Sequence, residues 1–196
     1  MARLGLLTIF ILHIYLALKI RQRTAAARPT GYVVDRTLRT SLPSRYMLMT
    51  GLVILFFVIF HLAHYTFGWV HQIPTRNLET GEIVMTNLLQ LRDVKGRHDV
   101  YTMVVYANKQ WWIVLTYVMA QVMVYLHLCH GASSWFQSFG ISHPRYNPWI
   151  RRLGIALAVA IAVGNISMPL AIATGLVGQD VSPLHVPLLQ VPGTVP

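Results

Sequence analysis

Five histidines lie inside otherwise apolar stretches, and their positions make them the side chains best placed to do chemistry. His13 lies in the first apolar run, His61 and His64 lie in the second, and His127 and His130 lie in the third. An ionisable side chain within a run of membrane-spanning length is energetically costly, so such residues usually serve a function. The three runs therefore indicate a site built from imidazoles.

These apolar runs contain no carboxylate, and this absence narrows the chemistry. All six acidic residues lie in the connecting segments or near the C-terminus. Proton and cation pathways usually need carboxylates within the membrane, and zinc sites commonly use them as ligands or as partners of the ligands. Neutral imidazoles from two helices instead suit haem iron, which they bind from both sides. Because a six-coordinate iron leaves no position for oxygen chemistry, the pattern predicts electron transfer through a b-type haem.

Composition excludes an ordinary soluble enzyme, since 55% of the 196 residues are hydrophobic and only 11% are charged. The net charge of +10 arises from basic residues placed between the apolar runs, so we expect a membrane environment and no nucleic-acid partner. The single cysteine, Cys129, excludes a disulfide framework, a Cys-ligated iron–sulfur cluster and a covalently attached haem. There is no Gly-rich dinucleotide loop and no P-loop, so we expect any flavin to belong to another subunit.

Four apolar runs predict an all-α integral membrane protein, with residues 1–178 forming a single transmembrane helical domain. The predicted spans are about 4–20, 46–69, 111–137 and 153–177, and residues 179–196 are predicted to form a Pro-rich, disordered tail. The first span reaches about 26 Å, which just suffices for a bilayer. A signal peptide cleaved near Ala25–Ala27 is the alternative for this run, and the positive charge that follows the run disfavours it.

Two further features refine the predicted helices. Ser44 is the expected N-cap of the second span. In the fourth span Gly154, Ala158 and Ala162 recur at every fourth position, which favours close packing against another helix, and Pro169 can be accommodated within a membrane helix.

The connecting segments predict the orientation of the helices. Residues 19–45 contain seven basic residues and one acid, and residues 142–152 contain three basic residues and no acid. Residues 70–110 balance five basic residues with four acids. The positive-inside rule therefore places the two one-sidedly basic segments in the cytoplasm and both termini outside.

The same orientation predicts which histidines share a level. His13 lies on the order of 10 Å from the inner end of its span and His127 lies on the order of 15 Å from that end, so the two could bind one haem. His61 lies at an outer level without a histidine partner in the other spans. His64 and His130 share helical faces with His61 and His127, and we expect them to hydrogen-bond to a propionate, a carbonyl or water rather than to bind iron.

Several segments, taken together, resemble a known family. They are ILHIYLAL around His13, SLPSRYMLMTG, IFHLAH, HDVYTMVV, YLHLCHGASSWFQSFGI and HPRYNP, and they extend over about residues 1–177. The chain resembles the cytochrome b membrane-anchor subunit of succinate dehydrogenases and fumarate reductases, specifically the single-polypeptide type that holds two haems.

This resemblance implies a five-helix bundle in which the second helix pairs with the fourth and the first pairs with the third to ligate two b haems. His13 matches the second-helix ligand, His61 the third-helix ligand and His127 the fourth-helix ligand. The four spans therefore resemble helices two to five, and the family's first helix has no counterpart here. We expect a truncated start or a four-helix variant, with the inner haem complete and the outer haem lacking the partner of His61.

The resemblance also implies a succinate:quinone oxidoreductase of the tricarboxylic acid cycle in the bacterial cytoplasmic membrane. Partner flavoprotein and iron–sulfur subunits would oxidise succinate, and this chain, without stand-alone activity, would pass electrons to quinone. Basic residues on the inner side could pair with haem propionates or with the iron–sulfur subunit: Arg21, Arg23, Arg39, Arg45, Arg151 and Arg152. The start of the second span offers polar candidates for the quinone site: Ser41, Ser44, Arg45 and Tyr46.

Two alternatives stay open on the sequence. One is the cytochrome b subunit of another quinone-linked enzyme, of the hydrogenase or formate dehydrogenase type. The other is a haem-free membrane scaffold or transport subunit in which the histidines are structural.

Overall fold

The structure is a computed structural model, which describes residues 2–27, 41–77, 80–93, 95–181 and 188–189. The chain divides into two units, Met1–Thr40 and Ser41–Pro196. Within the described residues, four helices are long and apolar enough to cross a membrane: Ala2–Ala26, Met47–Thr66, Trp111–Ser138 and Asn147–Ala173. This confirms the predicted all-α fold class and makes the chain, by helix length and composition, a multi-pass membrane protein.

The first unit contains helix α1 (Ala2–Ala26), and none of its described residues is buried within the unit. The helix continues beyond the predicted end at residue 20 because the following segment, with Arg21 and Arg23, has good helix-forming residues. Near its C-terminal end, the Lys19 ammonium donates a hydrogen bond to the Tyr15 hydroxyl at 2.9 Å. A long charged side chain thus extends along the apolar surface while its charged end stays bonded.

The second unit contains the other helices and a small sheet. Short helix α2 (Leu42–Arg45) precedes α3 (Met47–His61), which continues into a π-helical turn (Leu62–Thr66). The remaining elements are β1 (Gln72–Asn77), β2 (Ile83–Asn87), a 3₁₀ turn (Leu88–Gln90), α4 (Val100–Asn108), α5 (Trp111–Ser138), α6 (Asn147–Ala173) and β3 (Leu188–Leu189).

The start of the second span differs from the prediction in its capping residue. Ser41, rather than Ser44, is the N-cap of α2, and its side chain accepts a hydrogen bond from the Ser44 backbone N–H at 3.4 Å. Pro43 favours this early helix start because a proline in the first turn sacrifices no helical hydrogen bond. The long helix of the second span, α3, has Tyr46 as its N-cap and no side-chain capping bond, so the prediction that Ser44 caps this span was wrong.

Helix α6 packs closely against α5 through small residues. Gly154 and Ala158 are buried, and a Cβ placed on Gly154 would lie 3.3 Å from the backbone nitrogen of Ser133 on α5. Ala162 continues this buried row. The predicted close packing of the small residues is confirmed, and Pro169 lies within α6 as expected.

The segment between the second and third long helices is structured, although the sequence suggested only a long connection. Strands β1 and β2 pair antiparallel, and β3 pairs parallel with β1. Ile73, Leu88, Leu91 and Met103 form a small buried core between this sheet, the 3₁₀ turn and α4. We call β1, β2, the 3₁₀ turn and α4 the hairpin layer.

The chain beyond α6 returns to the hairpin layer. The Tyr101 hydroxyl donates a hydrogen bond to Asp180 Oδ1 at 2.8 Å, and the Lys109 ammonium donates to the Val181 carbonyl. Val181 packs with Val105 and Ile172 in a buried cluster. The predicted disordered tail, 179–196, begins with these ordered contacts and includes β3, while 182–187 and 190–196 lie outside the described residues.

Candidate functional site

His127 lies on α5 beside the first turns of α3, where it has a defined partner. The Thr50 hydroxyl oxygen lies 3.1 Å from His127 Nδ1. Thr50 is buried, with 3% of its surface exposed, and its hydroxyl also lies 3.0 Å from the Tyr46 carbonyl and 3.1 Å from the Met47 carbonyl. We call Tyr46, Met47, Thr50, Gly51 and His127 the Thr50 site.

Gly51 leaves room for the imidazole within the Thr50 site. A Cβ placed on Gly51 would lie 3.4 Å from His127 Cε1 and 3.9 Å from His127 Nδ1. Alanine would thus be in contact with the ring, and a larger side chain would overlap it. The ring of His127 therefore lies directly against the backbone of α3 next to its hydrogen-bonding partner.

His13 lies on α1, in the first unit, where its side chain is exposed within that unit. His127 belongs to the second unit. The pairing of His13 with His127 on one haem stays a prediction.

The two candidate histidines of the second span, His61 and His64, contact the same tyrosine. The Tyr117 hydroxyl of α5 lies 3.2 Å from His61 Nδ1 and 3.1 Å from His64 Nδ1. Spacing of three residues predicted that the two histidines share a helical face, and their common partner confirms it. The assignment of His61 as the iron ligand stays a prediction.

Burial differs between these two histidines. His64 is completely buried, whereas His61 is exposed on the surface of the helix. The Nε2 atom of His64 is buried without a hydrogen-bond partner among the described residues. His64 lies in the π-helical turn, where the Phe67 N–H donates to the Leu62 carbonyl five residues earlier at 2.9 Å. Such turns are frequent at functional positions of helices.

His71, just before β1, completes this group and was not identified from the sequence. Its ring centroid lies 5.1 Å from that of His64, and Tyr65 stacks on His64 at 4.1 Å. Burial lowers the pKa of His71 below its ordinary value of 6.5, because the charged imidazolium loses hydration. We call His61, His64, Tyr65, His71 and Tyr117 the Tyr117 cluster.

The hairpin layer contacts the Tyr117 cluster through Asn108. Asn108, the last residue of α4, is buried and donates hydrogen bonds to the Tyr65 hydroxyl at 3.3 Å and to the Val104 carbonyl at 2.9 Å. Its Oδ1 atom and both ring nitrogens of His71 are buried without hydrogen-bond partners among the described residues. These unpaired donors and acceptors are the kind of groups that ordered water bridges.

The remaining candidate residues are dispersed over the chain. His130 lies one turn after His127 on α5, where its carbonyl accepts a hydrogen bond from the Ser133 hydroxyl. Arg21 and Arg23 lie near the end of α1, Arg45 ends α2, and Arg151 and Arg152 lie in the first turns of α6. The Arg152 guanidinium lies 5.2 Å from the ring of Trp149. Arg39 lies outside the described residues.

A b-type haem requires only two protein ligands, and His127 in the Thr50 site has the chemistry expected of one such ligand. An iron-binding histidine usually donates its second ring N–H to an oxygen, which sets its tautomer and orientation. Thr50 provides such an oxygen to His127. No group of three or more His, Cys, Asp or Glu side chains among the described residues could hold a metal ion.

Comparisons of the chain with protein-family models, curated proteins and solved structures found no match.

Proposed function

We propose that the chain is the membrane-anchor cytochrome b subunit of a succinate:quinone oxidoreductase. The observation that carries the proposal is the hydrogen bond between Thr50 and His127, because a histidine that binds iron usually has such an oxygen partner on its other ring nitrogen. The histidine pattern and the family resemblance supply the rest of the argument. Partner flavoprotein and iron–sulfur subunits would oxidise succinate, and the bacterial cytoplasmic membrane would supply the quinone.

The chain's own residues would hold the haem and exclude water from it. A bound b haem would supply one-electron transfer between the iron–sulfur subunit and quinone. His127 and His13 would bind its iron, and the apolar helices around His127 would keep the site dry. His61 would contribute to a second, outer site whose other ligand is not among these four spans.

The test is the absorption spectrum of membranes that contain the chain. We expect a sharp alpha band in the reduced-minus-oxidised spectrum, and we expect His127→Ala and His13→Ala to remove it because each would remove a residue that holds the iron. His130→Ala is the matched control on α5 and should retain the band. Absence of the band in the unmodified protein would support a haem-free scaffold instead.

The electron donor distinguishes the proposed enzyme from the nearer alternative. Membranes from the source cells should show reduction of this haem on addition of succinate. Reduction by hydrogen or formate, and not by succinate, would assign the chain to a different quinone-linked enzyme.

A further inference from the structure

We propose that Thr50 is a positioning residue that sets the tautomer of His127 and thereby its ability to bind iron through Nε2. The consequence for iron rests on the proposed function. The bond between Thr50 and His127 does not, since it lies within the described structure.

The direction of this hydrogen bond follows from counting protons. The Thr50 hydroxyl has one proton to donate, and three acceptors or potential acceptors surround it: the carbonyls of Tyr46 and Met47 at 3.0 and 3.1 Å and His127 Nδ1 at 3.1 Å. Carbonyls can only accept, whereas an imidazole nitrogen can carry a proton. All three short contacts are favourable when the hydroxyl proton points to the carbonyls and Nδ1–H donates to Oγ1.

This direction decides the state of the other ring nitrogen. A neutral imidazole carries one proton, so protonation of Nδ1 leaves a lone pair on Nε2. His127 would need that lone pair to bind haem iron through Nε2. Thr50 thus selects the tautomer before any metal binds, which lowers the cost of forming the iron bond.

The surroundings of Thr50 make this selection durable. Its side chain is buried, so water does not compete for the hydroxyl. The Thr50 backbone N–H also donates to the Tyr46 carbonyl at 2.8 Å, which ties the residue into the first turn of α3. Gly51 then allows the ring to lie against the helix in the orientation that the bond requires.

Three variants test the proposal. Thr50→Val removes the hydroxyl but keeps the branched shape, and Thr50→Ser restores a hydroxyl. Thr116→Val is the matched control, because the Thr116 hydroxyl on α5 donates to the Trp112 carbonyl at 2.8 Å in the same helical geometry. Both valine variants therefore lose a hydrogen bond from a threonine hydroxyl to a helix carbonyl, and only Thr50→Val also loses the contact with His127.

The first measurement needs no haem. Nitrogen-15 NMR of histidine-labelled protein in detergent micelles distinguishes the two tautomers, and a His127→Asn sample assigns the His127 signals. We expect Nδ1–H in the unmodified protein, Thr50→Ser and Thr116→Val, and a mixture of tautomers in Thr50→Val. An unprotonated Nδ1 in the unmodified protein, or an unchanged Thr50→Val spectrum, would overturn the proposal.

The second measurement uses the haem-loaded protein. We expect Thr50→Val to weaken haem binding about 10- to 100-fold and to shift the midpoint potential upward, since the ligand becomes less basic. Thr50→Ser and Thr116→Val should match the unmodified protein, and equal potentials in all four proteins would contradict the role toward iron. A protein that binds no haem but shows the expected NMR result would overturn the proposed function and leave the tautomer selection intact.

Discussion

Replacing Tyr117 with phenylalanine removes the hydroxyl that two histidines share. The hydroxyl lies 3.1 Å from His64 Nδ1 and 3.2 Å from His61 Nδ1, and the Tyr117 ring packs at 5.1 Å from that of Phe57. Phenylalanine keeps the ring and its packing. The expected effect is therefore confined to hydrogen bonding.

The size of the effect follows from the burial of His64. Because His64 is completely buried and its Nε2 has no partner among the described residues, the variant leaves both of its ring nitrogens unpaired. An unpaired buried polar atom costs about 1–3 kcal/mol, whereas interhelical hydrogen bonds in membranes average about 0.6 kcal/mol. His61 is exposed and should add little. We expect the free energy of unfolding to fall by about 1–3 kcal/mol.

The assay is reversible unfolding of the purified chain in mixed detergent micelles, followed by circular dichroism. Tyr101→Phe is the control, since its hydroxyl bonds to Asp180 at an exposed position, and we expect a change of about 0.5 kcal/mol or less. In a His64→Leu background, Tyr117→Phe should cost much less. A cost for Tyr117→Phe equal to that of the control, or unchanged in the His64→Leu background, would refute the reasoning.

Three further outcomes are expected. Gly154→Leu should destabilise the packing of α6 on α5 by several kcal/mol, because its side chain must displace the Ser133 backbone, and unfolding in micelles should occur at lower denaturant than for Gly164→Leu, whose position has open space. The hydrogen bond and ion pair with Arg97 lower the pKa of Asp93 below its ordinary value of 3.8. The ionised Asp93 therefore stabilises the folded chain above pH 3.8, and this stabilisation is lost as the pH falls through the folded pKa. Asp93→Asn should remove this part of the dependence of the unfolding free energy on pH. His71→Gln should reduce the loss of stability below pH 6.5, because the pKa of His71 is lowered in the folded chain and the unfolded chain therefore binds more protons there; equal pH profiles would contradict this.

The transmembrane helices could be predicted because length and hydropathy are local properties of the sequence. The small residues of α6 were equally informative, since a row of Gly154, Ala158 and Ala162 has few uses other than close packing. The end of α1 was placed too early because hydropathy marks where a helix leaves the bilayer rather than where its hydrogen bonding stops. Ser44 was misassigned because it lies inside a short helix, α2, that Ser41 caps, and the long helix α3 begins only after Tyr46.

The hairpin layer was missed because its strands lack a strong alternating pattern. Strand β1 contains a half-buried proline, Pro74, followed by a buried polar residue, Thr75, so its sequence is not that of a typical strand. The available signal was Gly81, which adopts a positive φ of 71° between β1 and the β-branched start of β2. A single turn residue between two segments of six and five residues is weak evidence for a hairpin in the sequence of a membrane protein.

The histidines of the candidate site could be recognised from sequence, but their partners could not. Thr50 and Tyr117 lie on different helices from the histidines that they contact. Which faces meet depends on the rotation of each helix about its axis, and packing of the whole bundle determines that rotation. His71 was overlooked for a related reason, because it lies outside the helices and no helical spacing relates it to His64.

Two hydrogen bonds join the segment after α6 to Tyr101 in α4 and to Lys109 at its C-cap, and they determine which residues a shortened protein must keep. An expression clone that stops at residue 178 would omit Asp180 and Val181, although it retains every transmembrane segment. Such a clone would expose the apolar side chains of Val105 and Ile172 that Val181 covers, and it would remove the carbonyl that accepts the hydrogen bond from Lys109. Trimming the terminus to improve crystals or yield should therefore begin after Leu189, so that Asp180, Val181 and strand β3 are all retained.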